Sequence, residues 1–193
     1  MQKNELTFDV IGMLKEVMDE VLPELIQKVK ENLEPRDSRI FNSVFDQFYR
    51  GERLKGRWYD KYHIPLAVLF SSKAVRLGQA PPETVPASNL HDIGYAFLDP
   101  GLKERGESKE NLATVRLSRI LHMQKAAGPA AKILIESGDF SPAEISNIIN
   151  TVVCHDNGNI GLPIEEEPLL LWVRDADRTL VMHLVSFYKD WLS

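Results

Sequence analysis

An all-α fold is what this sequence predicts, on three observations. Apolar residues recur at three- and four-residue steps through most of the chain. Helix-start and helix-stop residues stand at the ends of those stretches. No set of segments alternates apolar and polar residues in the manner of half-buried strands. The 193 residues suffice for one domain with a sizeable core.

The elements follow in order. Leu6, Val10, Leu14, Val17, Val21, Leu25 and Val29 lie along one helical face, and Pro23 is expected to kink or split that helix. Pro35 should end the region, with Asp37 capping a second helix that carries Phe41, Val44, Phe45 and Phe48. Residues 50–57 read as a basic connector. A third helix should run from about Trp58 to Leu77 and stop at Gly78. Pro82 can open a fourth, leading into His91 and Asp92. Residues 99–109 are polar and turn-rich and read as a loop.

Helical pattern resumes from about Asn111 to Ser137, with a break expected at Gly128 and Pro129. Ser141-Pro142-Ala143-Glu144 is the clearest helix start in the chain, a capping residue with proline next and glutamate three residues on. That helix should end at Asn157-Gly158. A last helix is expected over about Glu165 to Leu192, with Glu165, Glu166 and Glu167 near its positive end. Residues 1–57 read as a helical extension packed on a core domain of residues 58–193.

Charge and composition exclude several roles. A net charge of −5 lacks the concentrated positive field that a nucleic-acid backbone demands. The apolar runs fall short of the roughly 20 residues a membrane helix needs. The N-terminal stretch shows no secretory signal, and a single cysteine, Cys154, allows no internal disulfide. A cytoplasmic enzyme is the expectation, acting on a small molecule, with its oligomeric state left open.

The chemistry lies in the histidines and aspartates. His63 shares a helical face with Leu66, Ala67, Phe70 and Ala74. His155 shares one with Ile148 and Val152, and Asp177 falls among Leu170, Val173, Leu180, Val181 and Leu184. A carboxylate on an apolar face is costly to bury unpaired, and metal coordination removes that cost. Imidazole nitrogens and carboxylate oxygens suit iron, manganese, zinc and related ions, and one carboxylate can bridge two of them. For any single histidine the plainer reading is a hydrogen-bonded core or surface residue; the recurrence of the pattern is what argues for a site.

The order His63, then His91-Asp92 within Asn89-Leu90-His91-Asp92-Ile93-Gly94-Tyr95, then Asp177 within Asp175-Ala176-Asp177-Arg178, resembles the HD superfamily of metal-dependent phosphohydrolases over roughly residues 58–185. His122 and His155 resemble the additional ligands of its two-metal subset. The resemblance implies a helical bundle in which His63, His91, Asp92 and Asp177 hold one divalent transition-metal ion. His122 and His155 hold a second, with Asp92 bridging. Two ions, iron or manganese first, are the implied cofactors. Asp177 is preferred to Asp175 because it matches the Ala-Asp-basic pattern and lies on the apolar face. Asp175 is then expected to orient a ligand or water.

The implied reaction is hydrolysis of a phosphoester or phosphoanhydride in a nucleotide-like substrate by a metal-activated water, with Asp92, Asp175 and Arg178 at the catalytic centre. An HD-type di-iron oxygenase acting on a small organic substrate, and a metal-binding sensing module without catalysis, are the alternatives. Many family members carry lysine where this chain has Tyr95, so Arg178, Arg119, Arg116 or Lys125 would have to supply the phosphate-binding charge. No Gly-Tyr-Pro follows His155, so the cyclic di-GMP subgroup is not indicated.

Weaker signals have plainer readings. Asp156 reads as a helix-end surface residue and His183 as structural or exposed. Arg50, Arg53, Lys55 and Arg57 read as a solvated cluster, though one able to gather an anion near His63. Trp58, Tyr59 and Tyr62 could stack on a base or pack in the core. Cys154 reads as a small buried residue.

Overall fold

The computed structural model describes residues 3–49, 60–99, 102 and 112–178. The basic connector with Arg50, Arg53, Lys55 and Arg57, the aromatic pair Trp58 and Tyr59, the boundary at 57/58, His183 and the end of the last helix lie outside these residues.

Every regular element among the described residues is helical. Helix α1 spans Lys3–Asn32, and α2 spans Pro35–Val44 and runs into a π-helical turn, Phe45–Tyr49. Helix α3 is Asp60–Arg76 and α4 is Thr84–Leu90, followed by a 3-10 turn at Ile93–Phe97. Helix α5 is Leu112–Ser137 and α6 is Pro142–Cys154, followed by a second 3-10 turn at Asn157–Ile160. Helix α7 begins at Pro168 and is described to Arg178.

Several sequence expectations are corrected. Helix α1 passes through Pro23 unbroken, and α5 passes through Pro129. Proline removes one backbone donor, but Met18, Leu22 and Val29 are buried on either side of Pro23 and Ala126, Ala130 and Leu134 around Pro129. Burial of the apolar face keeps each helix whole. Helix α1 ends at Asn32, ahead of Pro35 as expected, and Pro35 itself opens α2 at its first position, the favoured place for a residue without an N–H. Asp37 therefore stands inside the first turn, and Glu34 is the cap residue. Helix α6 stops at Cys154, before Asn157-Gly158, and α7 starts at Pro168, after the three glutamates.

Other expectations hold in detail. Gly78, at φ 67°, follows α3 in the left-handed conformation that glycine adopts without penalty. Ser141 forms the full capping box: its hydroxyl accepts from the Glu144 amide at 3.3 Å, and its own amide donates to the Glu144 carboxylate at 2.8 Å.

One apolar cluster ties α1 and α2 to the rest. Met18, Leu22 and Val29 of α1, and Ile40, Phe41 and Val44 of α2, pack in the same core as Ile64, Leu90, Leu134 and Val173. Tyr62 belongs to that core, and its hydroxyl bonds to Asp19 of α1 at 2.5 Å. Phe70 of α3 meets Trp172 of α7 at 6.0 Å between ring centres. Helices α3, α4 and α7 pack on one another, α6 packs on α4, and α5 packs on α6 and on the 3-10 turn that follows α4. No helix among the described residues is long and apolar enough to cross a membrane.

Candidate metal centre

His63 comes from the first turn of α3, His91 and Asp92 from the end of α4, and His122 from the middle of α5. His155 comes from the end of α6 and Asp177 from α7. The four imidazoles are at most 2% exposed and Asp92 is 5% exposed. Such burial of polar groups demands partners. Asp177 is a quarter exposed on its side chain, which puts the open edge of the cluster on its side.

Backbone carbonyls three or four residues earlier aim three of the rings. His91 donates Nδ1–H to the Ser88 carbonyl at 2.7 Å, and His155 donates to the Val152 carbonyl at 2.8 Å. His122 reaches the Ser118 carbonyl at 3.4 Å. A neutral imidazole whose Nδ1 donates carries a bare lone pair on Nε2. Those Nε2 atoms converge. His63 and His91 are 3.0 Å apart at Nε2, and His122 and His155 are 3.2 Å apart.

Asp92 lies between the two pairs. Its Oδ2 is 3.9 Å from His63 Nε2 and 3.6 Å from His91 Nε2. Its Oδ1 is 3.4 Å from His122 Nε2 and 3.6 Å from His155 Nε2. Two buried groups result, His63-His91-Asp92 and Asp92-His122-His155, each able to hold a metal ion. Asp177 Oδ1 joins the first at 3.0 Å from His63 and 3.5 Å from His91.

The electrostatics call for positive charge at this spot. Burial opposes charging His91, but the Asp92 and Asp177 carboxylates outweigh it and push its pKa up to about 9. Burial likewise opposes charging His155, and the net shift is upward through Asp92. For Asp177, burial raises the pKa, but His63 and His91 together hold it well below the usual carboxylate range. Facing nitrogens and two carboxylates in a buried space repel one another unless protons or a metal ion lie among them. Nitrogen and oxygen donors in this ratio fit divalent transition metals. The residues present therefore fit a metal site of HD type, with room in the donor set for two ions.

The local sequence explains the convergence. A Cβ on Gly94 would collide with the carbonyl oxygen of His122, so only glycine lets the 3-10 turn press this closely on α5. Tyr95 then stacks flat on the His122 ring, at 4.0 Å between centres and 10° between planes. Where a lysine would bring charge, this chain has a ring that orients a ligand candidate. Sequence reading missed both roles. A glycine two residues past a His-Asp pair was the available signal for the first.

The remaining sequence candidates scatter. Asp175 and Arg178 are exposed, 4.0 Å apart on α7, and outside the buried cluster. Arg116 and Lys125 are exposed. Asp156 is not a surface residue: it is 6% exposed, because Arg119 donates to its Oδ1 at 3.1 Å and Asn159 bonds to the same oxygen. Cys154 is half-buried rather than buried. Burial and the nearby Glu165 raise its thiol, so it is not an activated nucleophile. It borders a cavity of about 650 Å³ that also touches Glu83, Glu165 and Glu167, and none of the six metal-ligand candidates lines that cavity. No family model, curated protein or solved structure matches this chain.

Proposed function

We propose that this protein is a metal-dependent phosphohydrolase of the HD type, cleaving a phosphoester or phosphoanhydride bond in a nucleotide-like substrate. The observation that carries the reading is Asp92, with one carboxylate oxygen turned to His63 and His91 and the other to His122 and His155. That is the arrangement expected of a carboxylate shared by two ions.

Two divalent ions bound there would lower the pKa of a water, polarise phosphate oxygens and offset the negative charge that develops as the bond breaks. The chain supplies the rest. His91, His122 and His155 are held by backbone carbonyls, so their Nε2 atoms need no reorganisation. Tyr95 fixes the plane of His122. Asp177, at the open edge, is ionised and faces both His63 and His91. A side-chain nucleophile is not required.

The test is turnover of a panel of nucleoside phosphates, dinucleotide polyphosphates and cyclic nucleotides with manganese or ferrous iron, in air and without oxygen. The expected result is product release from at least one compound at equal rates in both atmospheres. A silent panel, with oxygen uptake on a small organic substrate and iron, would replace this reading with the oxygenase one.

A further inference from the structure

Tyr95 carries no charge, so any side-chain charge that joins the metal ions in holding a substrate phosphate comes from elsewhere. Two arginines stand one helical turn before a metal-ligand candidate. Arg119 precedes His122 by three residues on α5, and Arg174 precedes Asp177 by three on α7. Residues three apart lie on neighbouring positions of one helix face, so both arginines flank the centre.

Both also meet the turn that follows His155. Arg119 Nη1 donates to Asp156 Oδ1 at 3.1 Å. Arg174 Nη2 lies 3.7 Å from the point where a Cβ on Gly158 would stand. The Arg119 side chain is 35% exposed, and its bond to Asp156 occupies one of the five N–H donors of a guanidinium. Arg174, partly exposed, has no ion pair or hydrogen bond among the described residues. Asp156, buried and held also by Asn159, fixes Arg119 from behind and cancels one charge. A net positive charge remains, carried on planar donors shaped for phosphate oxygens. By contrast, Arg178 is paired on an exposed surface with Asp175.

We propose that Arg119 and Arg174 form the anion-binding wall of the centre, taking the substrate's phosphate on the side of His122 and His155, with Asp156 as the positioning residue for Arg119. The assignment rests on the phosphohydrolase reading for its substrate, but its binding chemistry can be measured apart from turnover.

The experiment titrates inorganic phosphate into manganese-loaded full-length protein by calorimetry, for wild type, Arg119→Ala, Arg174→Ala and the two Arg→Lys variants, with metal content measured on each. Losing one charge-assisted contact should weaken phosphate binding about tenfold or more, with metal content unchanged and lysine restoring part of the loss. On a cleaved phosphoester, each alanine variant should raise KM about tenfold and change kcat less. Arg174→Ala removes no hydrogen bond or ion pair among the described residues, so it stands as the control against misfolding in Arg119→Ala. Phosphate affinity within twofold of wild type in Arg174→Ala, or no phosphate binding by wild type at millimolar concentration, overturns the assignment. Arginine-dependent phosphate binding without turnover of any phosphoester supports the wall and sinks the hydrolase reading instead.

Discussion

Asp177 and Asp37 each lie beside basic side chains, yet their carboxyl groups shift in opposite directions. At the centre, His63 and His91 aim Nε2 at Asp177 from 3.0 and 3.5 Å, and the carboxylate stays ionised well below its usual range despite burial. At the junction of α2 with the α5–α6 link, Asp37 is 6% exposed and its Oδ1 has no hydrogen-bond partner. Burial pushes its pKa up to about 6, even with Arg36 at 3.7 Å. The arginines there are committed elsewhere. Arg36 donates to Glu144 at 2.9 Å, and Arg39 makes a two-pronged bond to Asp139 at 3.0 and 2.5 Å. A nearby cation does little for a buried carboxylate unless its donors point at it. One region has donors converging on carboxylates in a way that could hold a metal. The other is a clamp between helices with one acid left over.

The sharpest way to break this contrast is Asp92→Ala. Removing the shared carboxylate should empty both groups and lower turnover by more than about a thousandfold. Elemental analysis that still finds two ions per chain would refute the bridging role. His122→Ala, which strips only the second group, should retain one ion and leave the first in place.

A smaller contrast separates two neighbours on α7. Asp177→Ala should weaken metal retention at the first group and abolish activity, because its oxygen faces His63 and His91. Asp175→Ala, on an exposed side chain, should retain both ions and lower the rate far less. Metal loss in Asp175→Ala equal to that in Asp177→Ala, by the same elemental analysis, would reverse the choice.

The smallest effect concerns Asp37. Its folded pKa is raised, so its favourable contribution is complete below the unfolded value of 3.8 and is lost as pH rises through about 6. At neutral pH the wild type therefore carries the cost of a buried charge. Asp37→Asn should stabilise the protein by about 1 to 2 kcal/mol at pH 7.5, after the lost helix-dipole contact is allowed for. The gain should shrink by pH 5, as followed by denaturant unfolding at the two pH values. A variant less stable than wild type at pH 7.5 would show that the Asp37 charge is wanted.

Helical class was legible because apolar spacing and capping residues act within a few residues of one another, as at Ser141 and Glu144. The split at Pro23 and the break at Pro129 do not occur, for the complementary reason. A local rule predicts a break, but burial of the flanking residues holds the helix together. Asp156 was misread because a position just past a helix looks exposed until Arg119, from another helix, covers it.

The sequence by itself marked which side chains could carry metal chemistry and that they ride on helices. His63, His91, Asp92, His122, His155 and Asp177 were marked by residue type and by an order that resembles the HD superfamily, and His63, His155 and Asp177 also by register. Tertiary structure alone decided that four imidazole nitrogens meet in pairs, that Asp92 turns one oxygen to each pair, and that Asp175 stays outside. It also brought Arg119 and Arg174 to one turn. Periodicity states which face of a helix a residue occupies. How far that face stands from another helix, dozens of residues away in the chain, is set by how the core packs and by close approaches such as Gly94 against His122.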